Sequence, residues 1–189
     1  VYLNQGGLPE LQKAFDALST SVALDPTLSD AHVKLGEFYL LNAKFDEAQA
    51  KAELVLQRDP THIGAHMLLG KAYAGKQALP QAIDTLRKAL TLAPKLLQAY
   101  LGLADLYRLN KDVQRAEKMY HEALSIDPKH VATHAALGLF YASQRDFSKA
   151  EKALRTALEM APQDVNLRHI LANFYVSRGQ TREAERAYK

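Results

Sequence analysis

The fold is decided by residues 35–60, LGEFYLLNAKFDEAQAKAELVLQRDP, and by a related stretch at residues 69–94, LGKAYAGKQALPQAIDTLRKALTLAP. Both stretches have Leu, Gly and Tyr at the first, second and fifth places, an Ala near the middle and a closing Pro. They begin 34 residues apart. A period of this length is typical of architectures in which one small structural unit is stacked repeatedly.

Five prolines extend this period along the 189-residue chain, each 34 residues after the last: Pro26, Pro60, Pro94, Pro128 and Pro162. Counting each of these prolines as position 32 of a unit predicts four full units, at residues 29–62, 63–96, 97–130 and 131–164. An irregular partial unit at 1–28 precedes them, and a truncated unit at 165–189 follows. The sequence therefore predicts a single array of repeats.

Each unit is expected to fold as two amphipathic helices, because its apolar residues recur at spacings of three and four. Gly or Ala at position 8 and Ala at position 20 let the two helices approach closely, while Leu at 7 and Tyr at 11 fill the space beside them. The proline follows the second helix and ends it without removing an internal hydrogen bond. In the first unit, Val1 to Gly7 are expected to end a first helix. A second helix, one turn longer than usual, is expected from about Pro9 to Ala23.

The pattern Leu-Gly-x-x-Tyr, Ala, Ala, Pro over 34 residues resembles the tetratricopeptide repeat (TPR) family along essentially the whole chain. The resemblance implies an all-α, right-handed superhelical solenoid of antiparallel helix pairs. Two positions depart from the family pattern. Position 4, usually Trp, is His32, His66, Tyr100, His134 and Arg168. Position 15, usually Gly, is Ala43, Gln77, Lys111 and Arg145, with Gly179 the only match. If these residues still adopt a left-handed turn, each costs about 1–2 kcal/mol.

Composition excludes several classes of protein. The chain has no Cys, which excludes disulfides, thiol nucleophiles and Cys-ligated zinc but leaves both the cytoplasm and the bacterial periplasm open as compartments. The net charge of +3 is too small to indicate nucleic-acid binding. No apolar run approaches the roughly 20 residues of a membrane-spanning helix, so direct membrane insertion is not expected.

No catalytic motif and no cofactor site can be recognised in the sequence. It lacks a phosphate-cradling glycine loop, a nucleophile motif and His-Glu-x-x-His. His62 with His66, and His130 with His134, are spaced so that two imidazoles could meet one metal ion. Each pair spans a turn and has no further ligand at a fixed spacing, so we expect no metal site. The position-4 histidines are instead expected to pack in place of the family's aromatic residue.

Helical geometry separates positions 2, 6, 9 and 13, flanked by 5 and 12, from the packed side of each first helix. The TPR resemblance implies that these positions line a concave groove that binds partner peptides. Their formal charges cancel, which disfavours nucleic acid. The carboxylate clamp of chaperone-tail readers is absent, since position 5 is Val33, Met67, Leu101, Ala135 and His169. The asparagine ladder of O-linked N-acetylglucosamine transferases is also absent, since position 6 is Lys34, Leu68, Gly102, Ala136 and Ile170.

We therefore expect a non-catalytic scaffold that binds a partner protein, as a peptide or helix, in this groove. Small residues such as Gly102, Ala135, Ala136 and Ala142 are expected to leave room for a bulky apolar ligand. The predicted contact positions are Lys34, Glu37, Met67, Lys71, Leu101, Asp105, Arg108, Leu139 and Asn173. The alternative is a structural spacer or self-association segment of a longer array, in which homo-oligomers could form. By fold-level analogy such arrays resemble bacterial proteins of envelope assembly and export.

Overall fold

A computed structural model describes residues 7–188, with side chains from Glu10 onward. Over this range the chain forms eleven α-helices and no strand. None of these helices combines the length and the apolar character that crossing a membrane requires. The helices are α1 (Gly7–Leu24), α2 (Ser29–Leu41), α3 (Phe45–Arg58), α4 (Ile63–Gly75), α5 (Leu79–Leu92), α6 (Leu97–Leu109), α7 (Val113–Ile126), α8 (Val131–Ser143), α9 (Phe147–Met160), α10 (Val165–Ser177) and α11 (Thr181–Tyr188).

Helix lengths follow the predicted repeat. From α2 to α10, first helices of 13 residues alternate with second helices of 14 residues. Helix α1 has 18 residues, so the extra turn predicted for the irregular first unit is confirmed. The end of a first helix predicted at the start of the chain, before Gly7, lies outside the described residues.

The chain divides into two compact units, Val1–Asn110 and Lys111–Lys189. In unit 1, α2 packs on α3, α4 on α5, and α3 on α4. In unit 2, α8 packs on α9, α10 on α11, and α9 on α10. Each unit therefore stacks helix pairs in chain order, and the predicted all-α solenoid architecture is confirmed.

Small residues at positions 8 and 20 set how closely the helices of a pair approach. A Cβ atom added to Gly70 would lie 2.6 Å from Cδ2 of Leu86, and one added to Gly138 would lie 2.6 Å from Cγ of Leu154. The alanines at position 20 are all buried: Ala48, Ala82, Ala116, Ala150 and Ala184. The predicted close approach is therefore confirmed in both units.

Position 15 turns the chain from the first helix to the second in a left-handed backbone conformation. The φ angle is 55° at Ala43, 60° at Gln77, 59° at Lys111, 61° at Arg145 and 69° at Gly179. After Ala43, Gln77, Arg145 and Gly179 the next amide donates to the carbonyl five residues before it, as in Lys44 N to Tyr39 O at 2.9 Å, which satisfies a carbonyl at the helix end. The family's turn is therefore formed here mostly by residues that carry a Cβ atom.

Candidate functional site

The side chain at position 4 ties each repeat to the proline that ends the repeat before it. The hydrogen-bond donor reaches the proline carbonyl oxygen six residues earlier in all five cases. The donor–acceptor pairs are Nε2 of His32, His66 and His134 to Pro26, Pro60 and Pro128, each at 2.9 Å, Oη of Tyr100 to Pro94 at 3.1 Å, and Nη2 of Arg168 to Pro162 at 2.7 Å. Because a carbonyl only accepts, Nε2 carries the proton in these histidines.

Packing of the position-4 ring is confirmed for His32 and His66, which are buried. The hydrogen bond itself was missed by the sequence analysis. Its signal was available, since His, Tyr and Arg differ in shape but all offer an N–H or O–H donor at the same distance from a proline.

The histidine pairs that could suggest a metal site are bonded to backbone groups. Nδ1 of His62 accepts from the amide of Ala65 at 3.1 Å, and Nδ1 of His130 accepts from the amide of Thr133 at 3.2 Å. These histidines thereby cap the first turns of α4 and α8. Within residues 10–188, no three His, Cys, Asp or Glu side chains are grouped so as to hold a metal ion.

Seven of the nine predicted contact positions lie in unit 1, on α2, α4 and α6. Helix α4 contacts both α2 and α6, so these side chains lie on neighbouring helices. The apolar Met67 and Leu101 are half-buried. The five charged positions are exposed: Lys34, Glu37, Lys71, Asp105 and Arg108.

The other two predicted positions lie in unit 2. Leu139 on α8 is 49% exposed. Asn173 on α10 is also exposed, and its Oδ1 accepts a hydrogen bond from Oη of Tyr188 on α11 at 3.2 Å.

Two of the small residues do not leave the room that the sequence analysis expected. A Cβ atom on Gly102 would lie 2.8 Å from Cδ1 of Leu86, so α5 already fills that space. Ala135 is only 8% exposed and packs with Ala157 and Leu167. The expectation of an open apolar pocket at these two residues is therefore wrong, because neighbouring helices occupy it.

A second repeated hydrogen bond, also missed by the sequence analysis, runs between repeats in unit 2. Oη of Tyr141 donates to Oε1 of Glu117 at 2.7 Å, and Oη of Tyr175 donates to Oε1 of Glu151 at 2.8 Å. Nζ of Lys149 also lies 3.2 Å from Oε1 of Glu117. The hydrogen bond from Tyr141, with that from Lys149, lowers the pKa of Glu117. Burial, together with Glu117, raises the pKa of Tyr141.

Comparison with known protein families and structures agrees with this geometry. One tetratricopeptide repeat family model matches residues 76–139, 107–164 and 141–189, and a second matches residues 33–96. None of the curated proteins matches the chain significantly.

Several solved structures share the fold. A thermophilic TPR protein of Thermus thermophilus superposes with a TM-score of 0.78 at 23% identity, covering 90% of this chain and 94% of that one. PilF of Pseudomonas aeruginosa has a TM-score of 0.74 at 19% identity, over 85% and 73% of the two chains. YrrB, described as a TPR protein with an unusual peptide-binding site, has a TM-score of 0.62 at 14% identity, over 90% and 88%.

At these identities the solved structures establish the fold, and the family models establish the family. The matched segments run from residue 33 to residue 189, most of the chain. Proteins built from such repeats are generally non-catalytic scaffolds for protein–protein interaction. The 34-residue register, the helix pairs and the family models agree, and this chain belongs to the tetratricopeptide repeat family.

Proposed function

We propose that this chain is a scaffold that binds a peptide or helix of a partner protein on its first-helix surface. Each unit has its own part of this surface, the exposed side of α2, α4 and α6 in unit 1 and that of α8 and α10 in unit 2. The proposed contacts are Lys34, Glu37, Met67, Lys71, Leu101, Asp105 and Arg108 in unit 1, and Leu139 and Asn173 in unit 2. The observation that carries the proposal is the grouping in unit 1, where five exposed charged side chains and two half-buried apolar ones share three neighbouring helices.

On unit 1, the apolar side chains would contribute affinity and the charged side chains would contribute specificity. Met67 and Leu101 offer apolar area, and the flexible thioether of Met67 can adapt to differently shaped partners. Positive and negative side chains alternate in chain order over this surface: Lys34, Glu37, Lys71, Asp105 and Arg108. Such a mixed pattern selects the orientation and register of a partner more than it raises affinity.

The test uses the charge and the exposed leucine of this surface. A random peptide library is panned against the chain, and the selected peptides are measured by fluorescence anisotropy on Lys71→Glu and Leu139→Arg. We expect each variant to weaken binding by at least about tenfold. Because both side chains are exposed, the free energy of unfolding should change by only about 0.5 kcal/mol or less. Lys88→Glu, an equal charge reversal at an exposed site on α5, is the matched control and should bind as the parent chain does.

Two outcomes would contradict the proposal. If no peptide sequence converges while the chain is folded, the spacer role is favoured over partner binding. If Lys71→Glu and Leu139→Arg unfold the protein, these side chains stabilise the fold rather than contact a partner.

A further inference from the structure

Two clefts of the same construction flank helix α9 in unit 2. The first, of about 450 Å³, lies among α7, α8 and α9, and its apolar wall is formed by Leu124, Leu137 and Ala153. The second, of about 400 Å³, lies among α9, α10 and α11, and the corresponding wall is formed by Leu158, Leu171 and Ala187. Each residue of the second wall follows its counterpart by 34 positions. The two clefts are therefore one feature of the repeat, present twice.

Basic side chains border the first cleft. Lys149, Lys152 and His121 line it, together with one carboxylate, that of Glu117. Lys152 is exposed, and the residues three and four positions away from it on α9 include Lys149, Arg155 and Thr156 but no acid. The adjacent Glu151 accepts a hydrogen bond from Tyr175. The second cleft is balanced, with Arg155 and Arg186 against Glu159 and Glu183. The excess positive charge is thus local to the first cleft.

The one carboxylate in the first cleft is already bonded within the protein. Glu117 accepts from Oη of Tyr141 at 2.7 Å and from Nζ of Lys149 at 3.2 Å, and Nε2 of His121 lies 3.9 Å from it. It therefore offsets Lys149 and leaves the ammonium group of Lys152 to an acid from outside. The carboxylates of the two clefts would repel a polyphosphate, which is negatively charged along its whole length. A protein segment can instead place a single acid beside Lys152 and apolar residues elsewhere.

We propose that the two clefts form a second docking surface, distinct from the first-helix surface, for an acidic segment of a partner protein. Each cleft receives one apolar side chain of the segment. An Asp or Glu beside the first apolar residue pairs with Lys152, whereas Lys149 stays paired with Glu117 and Asp146. The chemistry of the surface thus specifies a partner with spaced apolar residues and at least one adjacent acid.

The experiment uses the full chain and two synthetic peptide libraries. Both libraries randomise their apolar positions among Leu, Ile, Phe and Met, and they differ only in having Asp and Glu or Lys and Arg at the charged positions. Selected peptides are measured on four variants. Lys152→Glu reverses the exposed charge, and Thr156→Arg fills the first cleft while adding a positive charge. Lys71→Glu alters the first-helix surface, and Lys88→Glu is an equal charge reversal elsewhere.

We expect the acidic library to yield peptides that bind at least about tenfold more weakly to both Lys152→Glu and Thr156→Arg, and unchanged to Lys71→Glu and Lys88→Glu. Four results would overturn the proposal: enrichment of the basic library instead, no peptide with this sensitivity, full binding to Thr156→Arg, or full binding to Lys152→Glu. Oligothymidylate and phosphatidylglycerol vesicles are measured in parallel. Binding of either with the same dependence on Lys152 would assign the surface to a polyanion rather than to a protein segment.

Discussion

At the scale of single residues, the turn at position 15 stores strain that a substitution can release. Arg145 has φ 61° although it carries a Cβ atom. Arg145→Gly should stabilise the folded state by about 1–2 kcal/mol, because it removes that strain. The greater freedom of glycine in the unfolded chain should destabilise it by about 0.5–1 kcal/mol. We therefore expect net stabilisation, measured as a higher urea midpoint at unchanged m-value.

Two matched variants separate relief of strain from a general effect of glycine. Gln144→Gly changes the preceding residue, whose φ is −85°, and should destabilise the protein. Gly179→Ala introduces a Cβ at φ 69°, where no atom lies within 4 Å, so any loss of stability there is conformational rather than steric. If Arg145→Gly is no more stable than the parent chain, the strain is smaller than argued.

The hydrogen bond from position 4 should be measurable at His66. His66→Phe keeps an aromatic ring in the buried site but removes the donor to the carbonyl of Pro60, so it should cost about 1 kcal/mol in the free energy of unfolding. His66→Gln retains an N–H near the position of Nε2 and should lose less. Equal losses in the two variants would show that the ring's packing, and not its donor, stabilises the site.

The sequence predicted features that follow from a residue's position in the repeat, such as helix-ending prolines. It did not predict hydrogen bonds between side chains far apart in the chain. The left-handed conformation of Ala43 and Gln77 could be stated only as a condition. Their position in the repeat indicated it, but alanine and glutamine do not themselves favour it. The bond from Tyr141 to Glu117 spans 24 residues and becomes visible only when position 11 of one repeat is compared with position 21 of the repeat before. That pairing depends on how successive repeats stack.

At the scale of elements, the hydrogen bond from Tyr141 to Glu117 joins α8 to α7, and its contribution to stability should depend on pH in a predictable direction. The pKa of Glu117 is lowered, so its contribution is present above the ordinary value of 4.5 and is lost as pH falls through the folded-state pKa. The pKa of Tyr141 is raised, so its contribution is present below the ordinary value of 10.0 and is lost at higher pH.

Glu117→Gln should therefore be less stable than the parent chain at neutral pH, by about 1 kcal/mol because the carboxylate is partly solvated. The difference should shrink as the pH is lowered below about 4.5. Denaturant titrations across this range measure it, with Glu122→Gln on the same helix as control. A difference that stays constant with pH would show that the ionised carboxylate is not the stabilising group.

At the scale of the whole molecule, the two compact units predict that destabilisation stays local. Leu154 in unit 2 and Leu103 in unit 1 are both buried, and truncating either to Ala should cost about 2–5 kcal/mol through the cavity left behind. Because repeats contact mainly their neighbours, Leu154→Ala should speed amide hydrogen exchange in α8–α11 more than in α2–α5. Leu103→Ala should do the reverse. Equal acceleration in both units would indicate a single cooperative structure.

The sequence predicted which side chains are buried within a helix pair better than which are exposed outside it, for one physical reason. A 34-residue register fixes which side chains face inward within a helix pair, and Leu35 and Leu69 are buried as that register requires. Exposure on the opposite side depends on how closely the next repeat approaches. Leu68 and Ala135 were assigned to the free side of their helices, yet they are 1% and 8% exposed because neighbouring helices cover them.

The contact between position 4 and the proline carbonyl has a consequence for how such an array can grow. The acceptor is a main-chain oxygen, so it is the same at every joint, and the donor has been supplied by histidine, tyrosine or arginine. A joint of this kind needs no matched pair of side chains. For this contact, therefore, duplication, removal or exchange of a 34-residue module needs no compensating mutation at the border, unlike the side-chain pair of Tyr141 and Glu117. This contact thus limits the register of the array more than its length.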